Sequence, residues 1–207
     1  MQEYTQCTPS INCDSPIIKE LALELTQECE TMKDKAKALF YFVRDAIKYR
    51  VGLGLPARED FSAIRILEKR EGFCIPKAIL LTSLARAVQI PARLRFADIR
   101  NLLLPASVLD AIGTDVMLYH GYTELYIQEK WIKVNPAFDK DLCERHDFIP
   151  VDFDGSADAL FRRHDRKGRV HFEYLKDHGY FADFTDELYQ RIISAFIDYY
   201  GTKANSH

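Results

Sequence analysis

No stretch of the 207-residue chain approaches the about 18 consecutive apolar residues that a membrane-spanning helix needs. The opening residues, Met1-Gln2-Glu3-Tyr4-Thr5-Gln6, lack the basic segment followed by an apolar one that marks a secretory leader. Cytoplasmic residence without membrane attachment is therefore the expectation. Positive charge is not in excess either: 28 Lys and Arg face 31 Asp and Glu, a net charge of -3. A nucleic-acid partner would call for a basic domain or stripe, so none is expected. The densest basic stretch, Arg162, Arg163, Arg166, Lys167 and Arg169, is interrupted by Asp165 and lies near Asp152, Asp154 and Asp158. It reads as a solvated charged face.

Cysteine is sparse and unpaired in pattern. Five residues, an odd number without staple spacing, do not suggest a disulfide framework, and at least one thiol is left free. Cys143 and His146 have C-x-x-H spacing and could be joined by Cys7 and Cys13, but these fragments fall short of the paired four-ligand sets of structural zinc. No metal site is expected. Gly52 and Gly54 lack the Lys-Ser/Thr ending or the strand–helix context of a phosphate loop, so no cofactor is expected. Internal repeats and low-complexity segments are lacking as well.

What is present is ordinary globular composition, 47% apolar and 29% charged, with thirteen Phe and eleven Tyr to fill a core. A helix is expected from Pro16 towards Cys29, which falls on its apolar face, and a second from Thr31 to Lys48 with Ala36, Leu39, Phe40, Val43 and Ile47 inward. Residues 49–61 read as a loop, and Ser62 opens a short helix through Leu67. From Cys74 to Val88 apolar residues cover more than one face, the pattern of a central buried helix. Strands are expected over Ile90 to Ala97, His120 to Ile127 and Trp131 to Val134, and a last helix over Thr185 to Tyr199. The apolar stretch Leu102 to Ile112, with a short helix over Ser107 to Ile112, reads as a lid, a substrate wall or ordinary loop packing.

Cys74 stands where a Gly turn meets the central helix, in Glu71-Gly72-Phe73-Cys74-Ile75-Pro76. Proline is tolerated only near a helix start, so Pro76 puts Cys74 at the N-cap or first turn. Free N–H groups and the positive end of the helix dipole favour a thiolate there. The Cys74 N–H is also suited to hold an oxyanion. An inert Cys packing as a small hydrophobe is the competing reading. At this point the two stand level.

A thiol nucleophile needs a base, and the base an orienting group. His207 is terminal, and His146, His164 and His178 lie in charged, turn-like sequence and are expected to be exposed. His171, in Val170-His171-Phe172, could face a cleft but has no evident partner. His120 opens a strand, and the next strand leads into Asn135-Pro136.

Together these segments resemble the transglutaminase-like family. The resemblance lies in Gly72-Phe73-Cys74 before a helix, in Leu84-Ala85-Arg86-Ala87-Val88-Gln89-Ile90-Pro91-Ala92-Arg93, and in His120 with Glu124 and Trp131 before Asn135-Pro136. Ser62-Ala63 with Leu67 is similar to the short helix before the family's nucleophile. The C-terminal Asp154-Gly155 and Glu173-Tyr174 faintly resemble small bacterial members. The resemblance implies a papain-like α+β core. N-terminal helices would pack on a central helix headed by Cys74, against an antiparallel sheet. The whole chain, 1–207, would form one domain with its core over about 36–139 and 140–207 as a C-terminal extension packed on it. It also implies a Cys-His-Asp triad, in which Cys74 and His120 match the motif and Asn135 stands where the family usually has Asp. Asparagine can accept a hydrogen bond from histidine and fix its orientation, but supplies no negative charge to an imidazolium. Reactivity would then rest on the helix terminus and on an ion pair between Cys74 and His120 formed in advance.

Strand geometry makes this testable. His120, Tyr122, Glu124 and Tyr126 share one face. A four-residue loop over Ile127 to Lys130 pairs Tyr126 with Trp131 and Tyr122 with Asn135, which puts Asn135 diagonal to His120. Were Asn135 on the far face, Asp139 would be the reserve. Tyr49, Arg58 and Ser62 are upstream residues that could reach as a second oxyanion donor, and each reads better as structural. Glu124 reads as an exposed strand charge.

The expected activity is cysteine-dependent acyl transfer, with hydrolysis of a peptide or amide preferred because water needs no dedicated acceptor site. The expected partner is a peptide, protein or small amide substrate; oligomeric state is left open. The alternatives are transglutaminase-type transfer to an amine, acetyl transfer from a thioester, and a catalytically inactive peptide-binding module.

Overall fold

The computed structural model describes residues 1–51, 56–104, 106, 109 and 113–204. Most of the expected lid helix, Ser107 to Ile112, lies outside the described residues. Helix α1 (Pro16–Thr26) opens with proline in its first turn and ends three residues short of Cys29. There the Thr26 hydroxyl turns back to the Ala22 carbonyl at 2.7 Å, and Cys29 is half-buried rather than core. Helix α2 (Met32–Ala46) is capped by Thr31, whose hydroxyl accepts the Asp34 N–H, and buries Ala36, Leu39, Phe40 and Val43. Helix α3 (Ala63–Lys69) is capped by Ser62 in the same way and stops at Arg70 in a left-handed conformation.

Two short strands that local patterning does not reveal, β1 (Lys48–Tyr49) and β2 (Glu71–Gly72), pair in parallel, Lys48 opposite Glu71 and Tyr49 opposite Gly72. They tie the end of α2 to the approach to Cys74. Helix α4 (Cys74–Ala87) follows and is buried from Cys74 through Arg86. Its two buried basic side chains, Lys77 and Arg86, both bond to backbone carbonyls. Lys77 donates to the Arg44 and Ile47 carbonyls, 2.9 and 2.6 Å away, at the C-terminal end of α2. Such terminal carbonyls otherwise lack partners. Arg86 donates to the carbonyls of Ala92, Gln6 and Ala182, so one side chain joins α4 to three separate segments.

The main sheet is antiparallel in the order β5-β4-β3-β6, built from β3 (Ala92–Asn101), β4 (Val116–Ile127), β5 (Lys130–Val134) and β6 (Phe172–Phe181). This is the expected α+β arrangement, with α4 packed against β3 and β4. Strand β4 begins four residues before His120, and β6, which the sequence reading does not find, extends the sheet beyond β3. A short helix α5 (Lys140–Arg145) and the C-terminal α6 (Asp186–Ala204) complete the described elements.

Gly121 and Thr123 face α4: a Cβ on Gly121 would meet the Ile75 Cα at 3.0 Å, and the Thr123 hydroxyl donates to the Ala78 carbonyl at 3.0 Å. His120, Tyr122 and Glu124 therefore lie on the opposite face. Both ladders of β3 shift register around Asp98. The Asp98 carboxylate accepts the N–H of Tyr119, which has a φ of 48°, and contacts His178 Nε2 at 2.7 Å. The His178 ring stacks on Tyr119 at 3.9 Å, so His178 is not the exposed residue expected from its charged surroundings. At the N-terminus Cys7 and Cys13 form a disulfide, with Cα atoms 5.1 Å apart across the turn that Thr8 and Ile11 close. The spacing of the five cysteines does not announce this one bond, which takes both residues out of any zinc set and leaves Cys29, Cys74 and Cys143 as free thiols. Cys143 is core. Among the described residues no helix is long and apolar enough to cross a membrane.

Candidate active site

Cys74 is the first residue of α4. The chain can reach this start because Gly72 has no side chain: a Cβ there would meet Pro76 Cβ at 2.9 Å. The N–H groups of Gly121, Ile75 and Cys74 itself face the sulfur. They do not prevail. Cys74 is only 8% exposed, and burial raises its pKa from 9.0 to about 11. That rise, with the three N–H contributions already included, disfavours the thiolate by about 3 kcal/mol. Desolvation decides the balance, and the resting sulfur is a thiol.

His120 is on β4, 1% exposed, with the Phe161 ring 5.3 Å away. Burial lowers its pKa from 6.5 to about 3. Nε2 lies 3.0 Å from the Asn135 side-chain amide, and Nδ1 has no hydrogen-bond partner among the described residues. Thiol and imidazole are thus both neutral at pH 7, not the preformed ion pair that Asn135 seemed to require.

The β4–β5 hairpin has the expected register. Tyr126 pairs with Trp131 and Thr123 with Val134. The connection is tighter than a four-residue loop, because Ile127 and Lys130 also pair and only Gln128 and Glu129 turn, with φ of 50° and 63°. Two left-handed residues are what a type I′ turn needs. One step past Val134, Asn135 falls diagonal to His120, fully buried, its own N–H bonded to the Ala159 carbonyl at 2.9 Å. Its Oδ1 accepts the Ala137 N–H at 3.1 Å, and the Tyr174 hydroxyl is within hydrogen-bonding reach of its amide.

Asp139 is not placed at the histidine. It caps α5 by accepting the Leu142 N–H at 3.1 Å, and it also accepts the Tyr49 N–H at 2.8 Å. Ser62 caps α3, Arg58 binds Asp186 and the Phe184 carbonyl, and Tyr49 packs on Phe138. Glu124 is not exposed: it is 2% accessible and paired with Arg93 at 2.5 Å and Arg95 at 2.8 Å. The sequence reading misses Gly121, Phe161 and Tyr174 as neighbours of the site. For Gly121 a signal exists, since glycine inside a strand marks close approach of another backbone. For Phe161 and Tyr174 there is no local signal, because they arrive from the C-terminal third.

The family profile of the transglutaminase-like superfamily matches residues 19–136, and the chain belongs to that superfamily. Among solved structures it is similar to the Cytophaga hutchinsonii protein named "Putative Cysteine Protease", at 19% identity and a TM-score of 0.52, over 88% of this chain and 56% of that one. It is also similar to the periplasmic domain of TgpA from Pseudomonas aeruginosa, at 25% identity and a TM-score of 0.40, over 58% of this chain and 42% of that one. The chain thus spans little more than half the length of the first. No curated protein matches it.

Proposed function

We propose that the protein is a cysteine-dependent acyl-transfer enzyme that hydrolyses a peptide or amide bond through Cys74, His120 and Asn135. The observation that carries this is the 3.0 Å contact of Asn135 with His120, set by hairpin register, on a strand whose next residue, Gly121, packs on Ile75 and turns its N–H toward the Cys74 sulfur. His120 takes the Cys74 proton as the sulfur attacks the carbonyl, and the Cys74 N–H holds the oxyanion. His120 then protonates the leaving nitrogen and activates water to free the acyl group from sulfur. Transfer to an amine in place of water is the same chemistry with a different acceptor.

The buried, neutral resting pair favours one second reading, a peptide-binding module without turnover. A panel of peptide, amide and thioester substrates separates the two. Mass spectrometry is expected to find an acyl adduct on Cys74 that is absent in Cys74→Ala and at least about a hundredfold slower to form in His120→Ala. Substrate cleavage that persists in Cys74→Ala sinks the enzyme reading, and binding without an adduct supports the module. As to compartment, the Cys7–Cys13 bond pulls against cytoplasmic residence, because such bonds persist in oxidising surroundings.

A further inference from the structure

The Asn135 amide is held from three sides. Its Oδ1 accepts the Ala137 N–H at 3.1 Å. Its Nδ2 lies 3.0 Å from His120 Nε2. The Tyr174 hydroxyl, which also receives the Phe161 N–H, accepts from the same amide. An amide oxygen only accepts and an amide nitrogen only donates. The Ala137 N–H is a donor that cannot be reversed, so it fixes which end of the amide faces the histidine, and that end is Nδ2. Nε2 must then offer its lone pair. The single proton of the neutral ring sits on Nδ1, which is buried and without a partner among the described residues.

A base for Cys74 needs the opposite arrangement. No hydrogen bond joins Cys74 to His120 among the described residues; with Nε2 engaged by Asn135, Nδ1 is the ring nitrogen left to take the thiol proton once the two are brought together, and it already carries one. A carboxylate at position 135 would not create this conflict. One oxygen would accept the Ala137 N–H and the other an Nε2–H, leaving Nδ1 open.

We infer that Asn135 holds His120 in its Nδ1–H tautomer, which keeps the site at rest, and that turnover requires the amide to rotate by half a turn so that Oδ1 accepts an Nε2–H. The tautomer exchange is balanced: Nδ1 releases its proton to water and Nε2 takes one from water, with no net charge change. The rotation sacrifices the Ala137 contact, while the Tyr174 hydroxyl, which can donate as well as accept, serves either orientation. The statement about turnover rests on the hydrolase reading above; the tautomer itself does not.

The test is long-range 1H–15N correlation of histidine-labelled protein, with the His120 signals assigned by their loss in His120→Ala. The wild type is expected to show a protonated Nδ1 and an unprotonated Nε2 at pH 7. A protonated Nε2 there overturns the inference, and this reading needs no folded variant. Asn135→Asp is expected to move His120 to an Nε2-protonated form. It is also expected to speed alkylation of Cys74 by iodoacetamide at pH 7 by about tenfold or more, since the thiolate is the reacting species. A folded Asn135→Asp that keeps the Nδ1–H form overturns the inference. Failure of the hydrolase reading looks different: His120 tautomers as stated, but no acyl adduct on Cys74 in any variant.

Discussion

His120 and Glu124 lie four residues apart on one face of β4, at 1% and 2% exposure, and their surroundings are opposite in kind. Glu124 is saturated. Arg93 and Arg95 both reach it, and Arg95 passes on to Asp177. The Arg93 guanidinium in turn lies 3.9 Å from the centre of the Trp131 ring and 3.6 Å from that of Tyr180. His120 has one amide and an unpartnered nitrogen. A charge can stay buried only when it is paired, and the Glu124 end meets that condition in full. The His120 end avoids it by being neutral, with Nδ1 left without a hydrogen-bond partner among the described residues. Two equally buried polar residues on one strand thus differ in kind, one a charge locked in an ion-pair network and one a neutral ring.

The comparison breaks most visibly under truncation. Glu124→Ala leaves Arg93 buried without its counter-charge and is expected to cost about 3–5 kcal/mol. His120→Ala removes one neutral hydrogen bond and leaves the Asn135 amide short of a partner, at an expected cost of about 1–3 kcal/mol. Urea midpoints measure both. Equal losses would mean that His120 is as much scaffold as Glu124. Next in size is Gly121→Ala. Its Cβ would stand 3.0 Å from the Ile75 Cα and 3.1 Å from Ile75 Cγ1, backbone and branched side chain that cannot simply swing away. A loss of about 1–3 kcal/mol is expected, with Cys74 more exposed and faster to alkylate as β4 is pushed off the helix start. An alanine tolerated with unchanged alkylation would show that β4 does not bury the thiol.

How far these features could be read beforehand follows the range of the interaction behind them. The helix headed by Cys74 is local: a glycine turn, a proline two residues on, and apolar residues on every face. The His120–Asn135 contact is nearly so, because strand parity carries it across one short hairpin. Strand β6 is not legible. Its Lys176-Asp177-His178-Gly179 run looks like a turn because Asp177 and His178 are satisfied by Arg95 and Asp98, some eighty residues away. Glu124 was misjudged for the same reason, its arginines belonging to another strand. Cys7 and Cys13 meet through a turn whose closure their spacing alone does not announce. Asn135 shows the finest limit: parity puts it beside His120, but only the Ala137 N–H decides which end of the amide it presents.

A second buried histidine sharpens the contrast between neutral and charged burial by titration. His171 is 3% exposed, stacked on Phe172 at 4.0 Å and near Phe148 at 4.5 Å, and its Nε2 has no partner. Burial lowers its pKa from 6.5 to about 4, as it lowers that of His120 to about 3. A group of this kind binds its proton in the unfolded chain before it does so in the folded one. Above pH 6.5 neither state is protonated, and stability is unaffected. Between pH 6.5 and 4 only the unfolded state takes up the proton, so stability falls as pH falls, by up to about 1.4 kcal/mol per pH unit for each histidine. His171→Phe keeps a ring in the stack and removes the titration. Urea unfolding at pH 6.5, 5.5 and 4.5 is expected to show a slope in the variant about half that of the wild type, with His120 supplying the remainder. An unchanged slope would mean that His171 takes up its proton without unfolding, and that its burial is not the cost that sets the acid limit of this fold.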